Sequence, residues 1–169
     1  WKTSNPASHN TTECMAVELS NGHIMLNIRD NKNREDKSET NGRKIMMTED
    51  LGETWTEHPT SNGALIEPTC MASIHRHDYT DNQGASKSIL VFSNPNSKYK
   101  RIKQTIKLSL DDGNTWPREY WMELDEGRGA GYSCITSIDN DHIGILYEGS
   151  QAHMTFQKIN INELIKKYD

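Results

Sequence analysis

The feature that most constrains the fold is a short motif that occurs twice. Residues 48–55 read TEDLGETW and residues 109–116 read SLDDGNTW, and both fit the pattern Ser/Thr-x-Asp-x-Gly-x-Thr-Trp. An Asp side chain can accept hydrogen bonds from the backbone of a tight turn, and Gly supplies a backbone conformation that other residues resist. The motif therefore predicts a sharp turn between two strands, at two related places. The residues that we interpret as shaping these turns, without a chemical role, are Thr48, Asp50, Gly52, Trp55, Ser109, Asp111, Gly113 and Trp116.

Short segments with alternating apolar and polar residues surround the two motifs and fall into three sets, each of which predicts a group of strands. The segments are 14–19, 23–29, 43–48 and 54–58, then 70–76, 87–93, 103–109 and 119–124, and finally 133–138, 142–148 and 152–159. Only residues 161–168 have a helical pattern. Four-stranded sets repeated along a chain are typical of β-propeller blades, of which a propeller has ~4–8. We therefore predict an all-β fold with about three blades, over approximately residues 10–62, 66–126 and 129–160, and a short C-terminal helix.

Composition excludes several classes of function. The formal net charge is −5, and the only basic segment is 97–103, which argues against nucleic-acid binding because that needs a basic face. No apolar run approaches the ~18 residues that a membrane-spanning helix requires. The three cysteines, Cys14, Cys70 and Cys134, do not make a disulfide framework and have no metal-binding spacing. The sequence therefore predicts neither a membrane span nor a structural zinc site.

The stretch GAGYSCITSIDNDHIGILYEG, residues 129–149, raises the question of chemistry. Tyr132 stands at a glycine-rich entrance to a strand, and Glu148 ends the following strand. Judged by residue type alone, Tyr132 is a packing residue and Glu13 is a turn or surface acid. Arg29 and Arg101 are equally compatible with surface positions paired with Asp or Glu. Residue types alone therefore leave a structural role open for all five residues.

Several segments together resemble the catalytic domain of bacterial exo-α-sialidases (neuraminidases) of glycoside hydrolase family 33, of the kind found in gut Bacteroides. They are NTTECMAVELSNGHIMLNIRDN (10–31), SILVFSNPN (88–96), SLDDGNTWP (109–117), GYSCIT (131–136) and IGILYEGSQAHMTF (143–156). The resemblance covers essentially the whole chain and implies the C-terminal half of one six-bladed β-propeller catalytic domain with Asp boxes, as the repeated turn motif is called. Asp boxes alone are not specific for function, because non-enzymatic propellers carry them too.

The resemblance implies a role for five residues. Sialic acid carries a carboxylate on its anomeric carbon, so a neutral phenol avoids the repulsion that a carboxylate nucleophile would meet, and sialidases accordingly use Tyr. By resemblance, Tyr132 is the nucleophile and Glu13 is its base partner. Arg29 and Arg101 match two of the three arginines that bind the substrate carboxylate, and Glu148 matches the acid that steadies the first arginine of that triad. No metal or organic cofactor is implied.

Two parts of the family pattern are absent from the sequence. No Arg-Ile-Pro segment, which carries the first arginine of the triad, occurs, and neither does the acid/base aspartate that follows it. We therefore expect a retaining exo-α-sialidase that cleaves terminal sialic acid from glycoconjugates through a tyrosyl-sialyl intermediate, but only together with the N-terminal half of the same enzyme. The isolated chain is expected to be inactive. By analogy, the enzyme is expected to be secreted, periplasmic or attached to the surface of a bacterium.

Two other interpretations remain open. One is a non-catalytic Asp-box propeller that binds sialylated glycans or a protein partner. The other is a trans-sialidase or an anhydro-forming sialidase, which would share the same residues and differ in its acceptor loops and water access.

Overall fold

The computed structural model describes residues 1–165, and its strands form three antiparallel sheets. The first sheet contains β1 (Thr11–Glu18), β2 (Ile24–Asp30), β3 (Lys44–Thr48) and β4 (Thr56–Glu57). The middle sheet contains β5 (Ser73–Thr80), β6 (Ser86–Pro95), β7 (Ile102–Ser109) and β8 (Trp121–Arg128). The third sheet contains β9 (Ser133–Asp139), β10 (His142–Glu148) and β11 (Met154–Asn160). Within each sheet, strands that are consecutive in sequence are neighbours, and the predicted all-β fold class is confirmed.

Helical structure is confined to short segments of the described residues. Two 3-10 turns, Asn31–Arg34 and Arg118–Tyr120, lie in connections, and the helix α1 (Ile161–Ile165) follows β11. The helical pattern was predicted over 161–168, and residues 166–168 lie outside the described part of the chain.

Some strands differ in length from the sequence prediction. The segment 54–58 contributes only the two residues of β4. In the segment 70–76 the strand begins at Ser73, so residues 70–72 lie outside the sheet. The chain bends just before them, at Thr69, which has a φ of +56°. Cys70 consequently lies outside the strand and is fully buried below the end of the sheet.

The middle sheet is buried on both faces. Along β6, Ile89 and Val91 belong to a core shared with the third sheet, whereas Leu90 and Phe92 belong to a core shared with the first sheet. Successive side chains of a strand point to opposite faces, so one strand supplies both cores. This is the arrangement expected of a blade packed between two others.

The first strands of the three sheets are neighbours. β5 contacts β1 on one side and β9 on the other. Residues at the start of β1, the end of β2 and the entrance to β9 therefore meet at one end of the three-sheet stack. Positions far apart in sequence are brought together in this way, and the candidate site lies at this end.

The third sheet carries an exposed apolar face on the side away from the middle sheet. Four large side chains on it are between 41% and 63% exposed, and they are Ile138, Leu146, Met154 and Phe156. The register places Leu146 opposite Phe156, and a Cβ on Gly144 would touch both Phe156 and Ile138.

The two repeated turns have the same hydrogen bonds. In the first, the Thr48 hydroxyl donates to Asp50, and the Asp50 carboxylate accepts from the backbone N–H of Thr54 at 2.9 Å. In the second, the Ser109 hydroxyl donates to Asp111, which accepts from the backbone N–H of Thr115 at 2.8 Å.

Both turns also use the conformational freedom of glycine. Gly52 and Gly113 have φ values of +89° and +85°, and each donates its N–H to the hydroxyl of the first motif residue at 2.8 Å. The two tryptophans differ in burial, since Trp116 is 8% exposed within the core between the first and middle sheets, whereas Trp55 donates from Nε1 to the Asn5 carbonyl.

Candidate active site

Tyr132, Glu13 and Arg29 form a continuous hydrogen-bonded chain. The Tyr132 hydroxyl donates to Oε1 of Glu13, and Nη1 of Arg29 donates to Oε2 of the same carboxylate at 2.6 Å. Tyr132 is 37% exposed, while the Arg29 side chain is only 14% exposed. The carboxylate is thus held between a phenol that faces solvent and a guanidinium that lies deeper.

A β-bulge aims Glu13 at the tyrosine. The pairing of β1 with β2 shifts register between Thr12 and Cys14, so Glu13 has no partner on the neighbouring strand. Its φ is +41°, a left-handed conformation that is uncommon for a residue other than Gly. Bulges re-aim a side chain relative to the regular pleat, and here the side chain that is re-aimed is the one that bonds Tyr132.

Tyr132 is fixed by the backbone on either side of it. Its N–H donates to Oε2 of Glu148 at 3.0 Å, and its carbonyl accepts from the N–H of Glu148 at 3.0 Å. Gly131 has a φ of +89°, and a Cβ there would lie 2.8 Å from Cγ of Pro95 and 3.1 Å from Sγ of Cys70. Glycine is therefore required immediately before the tyrosine.

Arg101 lies beside the tyrosine ring. Its guanidinium carbon is 5.7 Å from the centre of the Tyr132 ring, within range of a cation–π contact. Its Nη1 donates to the carbonyl of Ala130 at 2.8 Å. The structure thus brings together all five residues that the resemblance singled out. Glu148 contacts the backbone of Tyr132, Glu13 accepts from its hydroxyl, Arg101 lies beside its ring, and Arg29 reaches the site through Glu13.

The electrostatics of the pair keep Glu13 ionised and Tyr132 protonated. Burial raises the pKa of Glu13, but the hydrogen bonds from Tyr132 and Arg29 outweigh this, so the pKa lies below its ordinary value of 4.5. The hydrogen bond to Glu13 raises the pKa of Tyr132 above its ordinary value of 10.0, because a nearby carboxylate disfavours the phenolate. In this state the proton belongs to the tyrosine.

A buried ion pair lies beneath the site and was not predicted from the sequence. The side chains of Arg43 and Glu67 are both fully buried, with Nη1 of Arg43 2.5 Å from Oε2 of Glu67. Arg43 also donates to the carbonyl of Cys70 at 2.6 Å and, at 3.4 Å, to the carbonyl of Glu13. It therefore connects the backbone of the bulge with the segment leading to β5.

Glu67 in turn organises the connection after β2. Its Oε1 accepts from the backbone N–H of Asp30 at 2.8 Å and from Nδ2 of Asn33 at 2.7 Å. The carboxylate has three protein donors in total, which satisfies a charge that would otherwise be costly to bury. No local pattern in the sequence reveals this pair, because the two residues stand 24 positions apart in different connections.

The two repeated turns lie away from the site. Each follows the end of a strand, β3 or β7, whose beginning is at the site. Among residues 1–165, no group of three or more His, Cys, Asp or Glu side chains is arranged to hold a metal ion. Within the same residues, no helix is both long and apolar enough to cross a membrane.

Comparison with known proteins gives consistent matches. No family model matches the chain. A sialidase of Bacteroides fragilis (strain YCH46) is 48% identical over 166 residues, which are 98% of this chain and 29% of that protein. A sialidase of Micromonospora viridifaciens is 31% identical over 149 residues, 88% of this chain and 22% of that protein. The chain thus spans less than a third of the length of the curated relatives it matches.

Two solved structures were compared with the fold. A Hadza microbial sialidase superposes with a TM-score of 0.83 at 46% identity, over 95% of this chain and 29% of that one. A mutant of Trypanosoma rangeli sialidase displaying trans-sialidase activity superposes with a TM-score of 0.64 at 17% identity, over 94% of this chain and 24% of that one, and supports the fold alone. The curated relatives and the first of these structures identify the chain as part of a sialidase domain, with its three sheets forming part of a propeller.

Proposed function

We propose that the protein is a retaining exo-α-sialidase and that residues 1–169 supply the nucleophile side of its active site. The observation that carries the proposal is the hydrogen bond from the Tyr132 hydroxyl to Glu13, across 119 residues of sequence. A glycan-binding module has no need of a phenol bonded to a carboxylate, whereas nucleophilic catalysis by Tyr requires an adjacent base. The similarity to sialidases over 98% of the chain supports the same conclusion.

In the first step the Tyr132 oxygen forms a bond to the anomeric carbon while the bond from that carbon to the leaving-group oxygen breaks. The phenol proton passes to Glu13, and the leaving-group oxygen takes a proton from an acid that we assign to the N-terminal half of the same enzyme. In the second step that acid, now deprotonated, takes a proton from water as the water oxygen replaces the tyrosyl oxygen at the same carbon, and Glu13 returns its proton to the phenolate. Two displacements at one carbon give net retention of configuration.

Arg29 couples substrate binding to the strength of the base. In this structure Arg29 bonds Glu13 directly, which lowers the pKa of Glu13 and weakens it as a proton acceptor. A substrate carboxylate placed between Arg29 and Arg101 draws the guanidinium charge away from Glu13. The pKa of Glu13 then rises towards its ordinary value, and transfer of the Tyr132 proton becomes easier once substrate is bound.

The proposed reaction also needs two groups that Tyr132, Glu13, Arg29 and Arg101 do not supply. The leaving-group oxygen needs a proton donor, and we assign that donor and a further carboxylate-binding arginine to the N-terminal half of the same enzyme. Among residues 1–165 Glu148 has no ion pair, so its free oxygen suits the role of holding that arginine.

The two repeated turns are proposed to be Asp boxes, and the enzyme is proposed to be secreted, periplasmic or attached to the cell surface.

Substitution of the nucleophile tests the proposal. In the full-length protein, Tyr132→Phe should lower kcat for a methylumbelliferyl sialoside by several orders of magnitude while sialic acid still binds. The matched control is Tyr147→Phe, because Tyr147 is a tyrosine buried in the core, 3% exposed, and its hydroxyl accepts from Nε2 of Gln157 rather than bonding Glu13. A Tyr132→Phe enzyme with turnover near that of wild type would contradict the assignment.

A further inference from the structure

A pocket adjoins the candidate active site and shares Arg101 with it. It has a volume of about 490 Å³, within the range of pockets that hold small ligands. Its lining residues are Pro68, Tyr99, Lys100, Arg101, Arg128, Gly129 and Ala130. We refer to this space as the basic pocket.

All the charged side chains that line the basic pocket are cationic. Three cationic side chains line it, namely Lys100, Arg101 and Arg128, and no acidic side chain of the described residues does. Neither Lys100 nor Arg128 has a salt-bridge partner among residues 1–165, although the chain as a whole has a net charge of −5. Two unpaired cations that face one cavity in an acidic protein favour an anionic ligand there.

The wall that carries these cations is held in place by its own hydrogen bonds. The hydroxyl of Ser97 accepts from the backbone N–H groups of Tyr99 and Lys100 at 3.2 and 3.3 Å. Lys98, unlike Lys100, is engaged, since its Nζ donates to the carbonyl of Ser38 at 2.6 Å. The backbone N–H of Gly129 donates to the carbonyl of Arg101 at 3.1 Å and joins the loop to the opposite wall. The backbone of these two walls is therefore held in place before any ligand binds.

The position of the pocket relative to Tyr132 defines what occupies it. Arg101 contacts the Tyr132 ring and also lines the basic pocket. Gly129 and Ala130 lead directly into the segment that carries the tyrosine. Because the basic pocket shares Arg101 with the candidate active site, it adjoins the space around Tyr132 in which the proposed function places the sugar next to the one that is cleaved. Tyr99, which is 71% exposed, offers an aromatic surface on which a sugar ring can lie.

We propose that the basic pocket binds an anionic group, a carboxylate or a sulfate ester, on the sugar next to the sialic acid that is cleaved. This inference rests on the proposed sialidase function and specifies its substrate class as glycans with a second negative charge beside the terminal residue. The cations of Lys100 and Arg128 recognise the second charge, while Arg29 and Arg101 hold the first.

The test compares three substrates with the full-length protein. Sialyl-lactose has a neutral neighbouring sugar, disialyl-lactose places a carboxylate there, and a sulfated sialyl-lactose places a sulfate. We expect kcat/KM for one or both anionic substrates to exceed that for sialyl-lactose by about tenfold, as two exposed ion pairs can supply. A preference for disialyl-lactose alone identifies a second sialic acid as the source of the charge, and a preference for the sulfated substrate alone identifies a sulfate ester. Equal kcat/KM values for all three overturn the proposal.

Variants localise the effect. Lys100→Gln combined with Arg128→Gln should remove most of the preference, measured as the ratio of kcat/KM values, and should do so through KM. The control Lys87→Gln removes one charge at the opposite end of the middle sheet and should leave the ratio unchanged. A double variant that melts at the wild-type temperature and retains the full preference contradicts the assignment of these two cations.

A binding measurement separates this proposal from the proposed function. Calorimetry with Tyr132→Phe in the full-length protein compares the Kd values of disialyl-lactose, sulfated sialyl-lactose and sialyl-lactose without turnover. If wild type hydrolyses none of the three but an anionic ligand binds more tightly through Lys100 and Arg128, the sialidase function fails and the anionic pocket stands. If wild type hydrolyses all three at similar rates and the Kd values are equal, the function stands and the basic pocket has no such role.

Discussion

The buried pair of Arg43 and Glu67 gives the sharpest stability prediction. Substitution Glu67→Gln keeps the size of the side chain and removes its charge. The amide keeps one accepting oxygen in place of two, so either Arg43 or the donors from Asp30 and Asn33 lose their acceptor. Because both side chains are fully buried, Arg43 becomes an uncompensated buried cation. Breaking such a pair costs ~3–5 kcal/mol, a large part of the ~5–15 kcal/mol by which proteins are stable.

The assay is urea unfolding of the full-length protein followed by tryptophan fluorescence. The matched control is Glu57→Gln, which breaks the ion pair between Lys44 and Glu57, where Nζ and Oε2 are 2.6 Å apart but the glutamate is 47% exposed. Exposed pairs contribute ~0–1 kcal/mol, so the control should change the unfolding free energy little. If Glu67→Gln and Glu57→Gln had equal effects, the reasoning from burial would be refuted.

Two further predictions concern titration. In the free full-length enzyme, kcat/KM should fall as the pH drops through the pKa of Glu13, which lies below 4.5. Glu13→Gln should remove this fall at acid pH and lower kcat by ~10²–10⁴-fold. Profiles of rate against pH for the two proteins will test both effects. Burial lowers the pKa of Lys107 from 10.5 to about 7, with its Nζ 4.2 Å from the centre of the Trp121 ring. Between about pH 7 and pH 10.5 the unfolded chain keeps a proton on Lys107 that the native chain has lost. The free energy of unfolding should therefore rise with pH over this range. Lys107→Met should remove this dependence and stabilise the protein at pH 6, as urea unfolding at several pH values will test, and a variant with an unchanged pH dependence would rule the explanation out.

The sequence carries enough information for the sheets but not for the site. Alternating residues and the repeated turn motifs predict three groups of strands, because each signal is local. The meeting of Glu13 and Tyr132 depends on β1 and β9 lying on either side of β5, and only the family resemblance indicated it. Glu13 and Tyr132 stand 119 residues apart, and their positions in the sequence give no sign that they are in contact.

Arg43 and Glu67 show a different limit. Charged residues are mostly exposed, so neither would be assigned to the interior from its type. Their burial depends on mutual pairing, on the side-chain oxygen of Asn27, which accepts from Nε of Arg43, and on the N–H groups of Asp30 and Asn33, which donate to Glu67. Only the folded chain brings these groups into contact. The bulge at Glu13 is equally invisible, since a residue with positive φ is normally expected at Gly or Asn.

The double-sided burial of β6 also has a consequence for how the chain finds its pairing. In a sheet with one solvent-exposed face, a register shift of one residue would expose the apolar side chains, and the free-energy cost of this exposure fixes the register. When both faces are buried, the same shift merely exchanges one apolar set of side chains for the other, and the cost is small. Polar groups must then define the alignment. Ser93 accepts from Nε2 of Gln104 at 2.7 Å in the interior, and the buried Asn94 donates to the carbonyl of the half-buried Ile66 at 2.8 Å. These bonds form in one alignment only, so the polar residues of the core, rather than its apolar ones, select the native strand pairing.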